Sequence, residues 1–165
     1  MCSIVHLASV KCQCDLGEAV KYDPEMVEGN SYVGYSAPSL FDNLKRVSME
    51  FKLVGETYES VITLTFKNET KPKKYDSTWK ITKNGDRDVK VPELPDLDAV
   101  YRIVAAKENK YIIFRGCPEI SQGKPLMFIE TREKCPDETA LKKAVDDLNL
   151  DYKFENFTRD KTVNC

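Results

Sequence analysis

Apolar and polar residues alternate in several short segments of the first hundred residues. Strict alternation is typical of β-strands with one buried face. One pair of segments is joined by Gly55-Glu56 and another by Asn84-Gly85. The second dipeptide predicts a type I′ hairpin turn, because both central positions of that turn need a positive φ. The five predicted strands cover residues 29–35, 47–54, 57–68, 75–82 and 88–91.

The stretch from Ala99 to Leu148 carries three further apolar runs and then changes period. The runs Y-R-I-V-A-A, Y-I-I-F-R-G and L-M-F-I-E-T are rich in β-branched and aromatic residues and predict three consecutive antiparallel strands. After Pro136 and Asp137, the residues Leu141, Ala144, Val145 and Leu148 recur at helical spacing. The stretch therefore predicts three strands followed by one helix that packs against them, and residues 152–154 are a candidate for a short ninth strand.

Eight antiparallel strands in up-and-down order can bury one apolar face by closing into a barrel. The predicted fold class is therefore all-β: an eight-stranded up-and-down antiparallel β-barrel with one C-terminal α-helix packed outside. A barrel of this size is either filled by its own side chains or holds one small ligand.

Alternation also predicts which side chains point into the barrel and are candidates for a ligand-binding wall. They would give apolar surface with a few hydroxyl groups. Glu130 is two residues from both Phe128 and Arg132, so on a strand it lies on the same face and should also point inward. A buried carboxylate there needs a hydrogen-bonding or charged partner. That partner is either Arg132 or the polar group of a ligand. The candidate ligand-binding residues are Tyr35, Met49, Phe51, Tyr58, Ile62, Leu64, Trp79, Tyr101, Ile103, Phe114, Phe128 and Glu130.

Length and charge fit one soluble domain. The chain has 165 residues and a formal net charge of −2, which argues against a nucleic-acid-binding protein. No apolar run is long enough to cross a bilayer, so no membrane insertion is expected. Residues 1–12 are interpreted as either the remnant of a signal peptide or an N-terminal arm, and residues 13–165 as a single barrel domain.

The sequence offers little for catalysis. His6 is the only histidine and lies in the segment that signal-peptide cleavage would remove. A Ser–His–Asp triad, a histidine-bound haem and a typical zinc site all need an imidazole and are therefore disfavoured. No carboxylate pair or Gly-rich phosphate loop is apparent either. We expect no catalytic residues, no metal site, no cofactor and no enzymatic activity.

The cysteines and two sequons indicate a secreted protein. Loss of the first twelve residues would leave Cys14, Cys117, Cys135 and Cys165, which could form two disulfides in three ways. Asn68-Glu-Thr and Asn156-Phe-Thr are candidate glycosylation sites.

The order of eight strands, one helix and a short ninth strand resembles the lipocalin fold. Two segments reinforce the resemblance: Y-R-I-V-A-A-K-E-N-K-Y-I-I-F, in which two strands meet at a short turn, and F-I-E-T-R at the end of the eighth strand. Gly116-Cys-Pro, the stretch from Gly123 through Cys135-Pro, and Leu150-Asp-Tyr-Lys resemble insect lipocalins, in particular the cockroach lipocalin-like milk protein and the cockroach lipocalin allergen. The resemblance covers residues 98–165 well and the earlier residues weakly.

The resemblance implies a secreted, extracellular carrier that binds a small hydrophobic ligand (a fatty acid, pigment or semiochemical) inside the barrel. Two alternatives are a nutrient or storage protein with lipid as cargo, and a scavenger of biogenic amines that uses Glu130. The resemblance also implies the disulfides Cys14–Cys117 and Cys135–Cys165. It does not indicate the oligomeric state.

The chain departs from the lipocalin pattern at the start of its first strand. Lipocalins usually carry G-x-W there, and the tryptophan stacks under the arginine that corresponds to Arg132. Here the stretch reads Gly29-Asn30-Ser31. Arg132 would then need another aromatic cover, for which Tyr32 and Phe128 are the candidates.

Overall fold

The computed structural model of the protein describes residues 14–160. One α-helix, α1 (Glu138–Asp147), follows the eighth of nine strands. Short 3-10 helices occupy Pro24–Val27, Pro95–Leu97, Glu119–Ser121 and Phe154–Asn156. The strands are β1 Gly29–Ala37, β2 Leu44–Val54, β3 Thr57–Phe66, β4 Lys73–Ile81, β5 Arg87–Lys90, β6 Ala99–Lys107, β7 Tyr111–Gly116, β8 Leu126–Thr131 and β9 Thr158–Arg159.

The first eight strands close into a barrel. Each strand pairs antiparallel with the next, and β1 closes the ring by pairing with both β2 and β8. Ser31 of β1 lies opposite Met49 of β2, and Ser36 lies opposite Phe128 of β8. The predicted eight-stranded up-and-down barrel with a single outer helix is therefore confirmed.

The up-and-down order gives the barrel two different ends. The longer connections, residues 38–43, 67–72, 91–98 and 117–125, all lie at one end, which we call the mouth. The tight turns at residues 55–56, 82–86 and 108–110 lie at the other end, together with the start of β1, and we call this the closed end.

Helix α1 packs against the outside of the barrel. Asp137 caps its N-terminus, because the side chain accepts hydrogen bonds from the backbone N–H groups of Thr139 and Ala140. Leu141 and Val145 are fully buried, as their spacing predicted, and form a core separate from the barrel interior with Val104, Ile113, Met127 and Ile129.

Residues 14–28 form a strap that runs along β6 and β7 and then crosses the closed end. Barrel side chains hold its backbone carbonyls: Arg115 donates to Asp15 and Arg102 to Gly17. At the closed end Tyr58 donates to Pro24 and Arg132 donates to Met26. Disulfide Cys14–Cys117 fixes the other end of the strap to the strand end after β7.

Two local predictions are wrong. Asn84-Gly85 does join β4 to β5, but only Gly85 of the pair has a positive φ (80°). Gly85 donates to the carbonyl of Thr82, which fits a three-residue hairpin loop with a left-handed glycine rather than a type I′ turn. The ninth strand lies at Thr158–Arg159, because the residues from Phe154 turn back in a 3-10 helix before the chain reaches β1.

None of the helices in residues 14–160 has the length and apolar character needed to cross a membrane.

Candidate functional site

A cavity of about 580 Å³ opens at the mouth of the barrel. Its wall combines inward side chains of seven strands with side chains of the mouth loops. The strand residues of this wall are Val33, Leu44, Val47, Met49, Ile62, Leu64, Phe66, Trp79, Val89, Tyr101, Leu126 and Phe128. The volume and the apolar lining are typical of a small-molecule site.

Aromatic rings form the base of the cavity. Trp79 lies with its ring centroid 6.0 Å from Tyr101 and 6.5 Å from Phe128. Below them, Phe114 stacks on Phe128 at 5.0 Å, and Phe51 contacts Trp79 edge-on at 5.1 Å. This aromatic layer separates the hollow half of the barrel from a solidly packed half near the closed end.

The predicted ligand-binding residues divide into three groups. Six of them line the cavity: Met49, Ile62, Leu64, Trp79, Tyr101 and Phe128. Four others, Phe51, Tyr58, Ile103 and Phe114, face the barrel interior but belong to the packed core below the cavity. The remaining two, Tyr35 and Glu130, lie elsewhere.

The prediction that Tyr35 points into the barrel is wrong. A β-bulge between Val33 and Tyr35 shifts the register of β1 against β8, so that the two residues lie on opposite faces. Tyr35 therefore packs under α1, where its hydroxyl donates to Glu138 at 2.8 Å and its ring lies 5.5 Å from Phe154.

Glu130 faces the barrel interior, as parity predicted, but at the closed end and outside the cavity lining. The residue is 2% exposed. One oxygen accepts a long hydrogen bond (3.3 Å) from the Ser31 hydroxyl, and the other has no hydrogen-bond partner. Burial raises the pKa of this carboxyl to about 8, although Arg132 and the Ser31 hydrogen bond act in the opposite direction.

Arg132 lies over the closed end, as the resemblance implied, but without the two predicted aromatic covers. Its guanidinium donates to the carbonyls of Asn30 (2.9 Å) and Met26 (2.7 Å). Phe128 lies at the cavity base, and the ring of Tyr32 is covered by Arg46 at 5.7 Å instead. Arg132 shares a small void with Tyr22 of the strap, where Ser31 replaces the tryptophan.

The ionisable groups at the cavity are all acids. Asp42, Glu93 and Asp96 line its rim, and within residues 14–160 no lysine, arginine or histidine does so. Ser39, Asn43 and Ser121 supply the remaining polar side chains. Burial raises the pKa of the Tyr101 hydroxyl, which donates to the carbonyl of Leu97, so that this tyrosine stays neutral in the wall.

Sequence reasoning missed the loop residues of the cavity. Leu40, Leu94, Leu97 and Ile120 reach it from the mouth loops, which have no periodicity from which their direction can be read. The only sequence signal for these residues was their apolar character in otherwise polar loops. Ile120 is 48% exposed beside the opening.

The disulfide pairing Cys14–Cys117 that the resemblance implied is present, with the two Cα atoms 6.2 Å apart. Cys135 is also disulfide-bonded, and Cys165, its predicted partner, lies outside the described residues, as do His6 and residues 1–12. Asn68 and Asn156 are both exposed. In residues 14–160 no group of three or more His, Cys, Asp or Glu side chains could hold a metal ion.

The same barrel occurs in solved structures of animal proteins. The major allergen Per a 4 from cockroaches superposes with a TM-score of 0.72 at 14% identity, over 89% of this chain and 93% of that one. Lobster apocrustacyanin A1 gives a TM-score of 0.68 at 14% identity, over 83% of this chain and 78% of that one. The amine-binding protein of Rhodnius prolixus, in its tryptamine complex, gives 0.68 at 14% identity, over 92% of this chain and 87% of that one.

These neighbours are lipocalins, and this chain has the lipocalin fold. The resemblance read from the sequence is confirmed at the level of the fold. No protein-family model and no curated protein sequence matches the chain.

Proposed function

We propose that this protein is a secreted, non-catalytic carrier that binds a small hydrophobic ligand in the cavity at the barrel mouth. The observation that carries the proposal is the cavity of about 580 Å³ with a predominantly apolar wall. A ligand bound there removes its own apolar surface and that of the wall from water. This burial contributes roughly 25 cal/mol of favourable free energy per Å². The lipocalin fold and the tryptamine complex of the Rhodnius neighbour support a binding role. The Cys14–Cys117 disulfide supports an oxidising, extracellular location.

The acidic rim favours a neutral or cationic ligand. A fatty acid that enters tail first places its carboxylate near Asp42, Glu93 and Asp96, with no basic side chain of residues 14–160 lining the cavity to pair with it. An ammonium group at the same position is attracted by the three carboxylates. These three carboxylates are exposed. The preference for an ammonium over a carboxylate headgroup is therefore severalfold rather than absolute, and it weakens as the salt concentration rises.

A second candidate function, the binding of amines, follows from this rim. It does not use Glu130, which lies below the aromatic layer at the other end of the barrel.

Trp79 makes the test direct, because it is the chain's single tryptophan and lies in the cavity wall. The emission of Trp79 is followed while decanol, decylamine or decanoate is added at pH 7. We expect saturable binding of decanol and decylamine and weaker binding of decanoate. If none of the three changes the emission, the carrier proposal fails.

Matched variants locate the site. Val47→Phe fills part of the cavity and should weaken binding, whereas Val54→Phe changes an exposed residue on the same strand and should not. The triple variant Asp42→Asn, Glu93→Gln and Asp96→Asn should abolish the preference for decylamine over decanoate and leave decanol binding unchanged. Equal affinity for all three compounds in the wild type would instead fit a storage protein with unselective lipid cargo.

A further inference from the structure

The closed end contains an ionisable group that the carrier proposal does not use. Glu130 is buried, its Oε1 atom has no hydrogen-bond partner, and its other oxygen receives only the 3.3 Å bond from Ser31. The small void that it borders holds no space for a water molecule.

Arg132 is the cation that acts on Glu130. The two residues are two positions apart, so their side chains leave the same face of the chain. The guanidinium of Arg132 is nevertheless directed at backbone carbonyls, those of Met26 in the strap and Asn30 in β1. This arrangement suits a neutral Glu130, because a buried carboxylate that receives only one long hydrogen bond is strongly unfavourable.

We propose that Glu130 is a proton-operated latch for the strap: when it loses its proton, Arg132 leaves the Met26 carbonyl to pair with the carboxylate, and residues 20–28 detach from the closed end. The strap is the element that can move, because it is not part of the β-sheet. Its detachment also has to expose the Val27 side chain, which is buried in the barrel core, and to break the hydrogen bond from the Val20 N–H to the Ile103 carbonyl. Its other anchors at this end are the hydrogen bond from Tyr58 to Pro24 and the bond from the Leu53 N–H to the Glu28 carboxylate.

Tyr22 and Lys110 do not supply Glu130 with an alternative charged partner. Burial raises the pKa of Tyr22, so this strap residue stays neutral over the relevant range. Lys110 forms an ion pair with Glu133 at 2.6 Å. The titratable groups that line the void beside Glu130 are Tyr22 of the strap, Lys107 at the end of β6, Lys110 of the turn that follows, Tyr111 of β7 and Arg132 just after β8.

The direction of the pH effect follows from linkage. The attached strap holds the proton of Glu130 more tightly than the detached strap does, because detachment exposes the carboxyl to water. Attachment is therefore fully stabilised below the ordinary pKa of about 4.5 and weakens by up to about tenfold per pH unit until about pH 8, where it levels off. Acidic conditions keep the closed end shut, and mildly alkaline conditions loosen it.

The test is a pH titration of the full chain by ¹³C NMR, in which the carboxyl carbon of Glu130 and the carbonyl carbon of Met26 are followed from pH 4 to 9.5. We expect both signals to change with one shared midpoint, well above that of an ordinary glutamate. In Glu130→Gln the Met26 signal should be flat. The control Glu50→Gln removes an exposed carboxylate of β2, opposite Asn30 of β1, and should leave the coupled titration intact.

Three results would overturn the proposal. One is a Glu130 carboxyl that titrates at its ordinary value, and another is a Met26 signal that ignores the Glu130 titration. The third is an equally large change with the same midpoint at the Trp79 amide on the far side of the barrel, since it would indicate unfolding of the whole barrel. The wild-type titration decides all three even if Glu130→Gln fails to fold.

Discussion

Gly116 lies on β7 directly opposite Tyr101 of β6, and the two residues are in van der Waals contact through the tyrosine ring. A Cβ atom at Gly116 would lie 2.5 Å from Cδ1 of Tyr101, well inside contact distance. The ring cannot move away freely, because it forms part of the cavity wall and stacks on Trp79. At this position the absence of a side chain therefore shapes the binding site.

Gly116→Ala should destabilise the protein by about 1–3 kcal/mol, as overpacking does in other cores. It should also weaken ligand binding, because Tyr101 is pushed toward the cavity. Gly34→Ala is the matched control: Gly34 is also a buried strand glycine, but its Cβ atom would lie 3.8 Å from the nearest atom, Oγ1 of Thr131. Urea unfolding and Trp79 emission measure both effects; equal stability losses for the two variants would contradict the argument.

At the scale of the elements, α1 and the barrel interior have separate cores. Leu141 and Val145 pack with Ile113 and Ile129 on the outer face of the sheet, whereas the cavity wall belongs to the inner face. The helix thus contributes to the stability of the sheet without contacting a ligand.

Leu141→Ala should lower the free energy of unfolding by about 2–5 kcal/mol through the lost burial and the cavity left behind. The affinity of the folded protein for decanol should not change. Lys142→Ala, on the exposed face of the same helix, should cost far less, since it removes only an ion pair with Asp146. A loss of decanol affinity in Leu141→Ala that is as large as in Val47→Phe would mean that the two cores are coupled.

The elements were largely predictable from the sequence, and the exceptions have local causes. Alternation places Met49, Ile62 and Trp79 correctly because β2, β3 and β4 pair without a bulge over these residues. In β1 the bulge after Val33 reverses the direction of Tyr35, and alternation carries no signal for an inserted residue. The strap also escaped prediction, since its carbonyls are bound by barrel arginines that are distant in sequence.

At the scale of the whole molecule, the barrel is neither hollow nor filled throughout. The aromatic layer around Trp79, which includes Phe114 and Phe128, divides it into a mouth half with the cavity and a packed half that ends at Glu130 and the strap. The alternation of residues along the strands could not distinguish the two halves, because most inward residues in both are apolar or aromatic. The division depends on which rings meet across the barrel.

Two isoleucines that face the barrel interior from different halves provide a test of this division. Ile62 lines the cavity, whereas Ile103 lies in the packed core and does not line it. Ile103→Ala should cost about 2–5 kcal/mol of stability, because it removes contacts on all sides. Ile62→Ala should cost less, since part of this side chain already faces empty space, but it should change decanol affinity more. Denaturant unfolding and Trp79 titration of both variants measure stability and decanol affinity. If the two variants lose equal stability and equal affinity, binding and stability are not divided along the barrel axis.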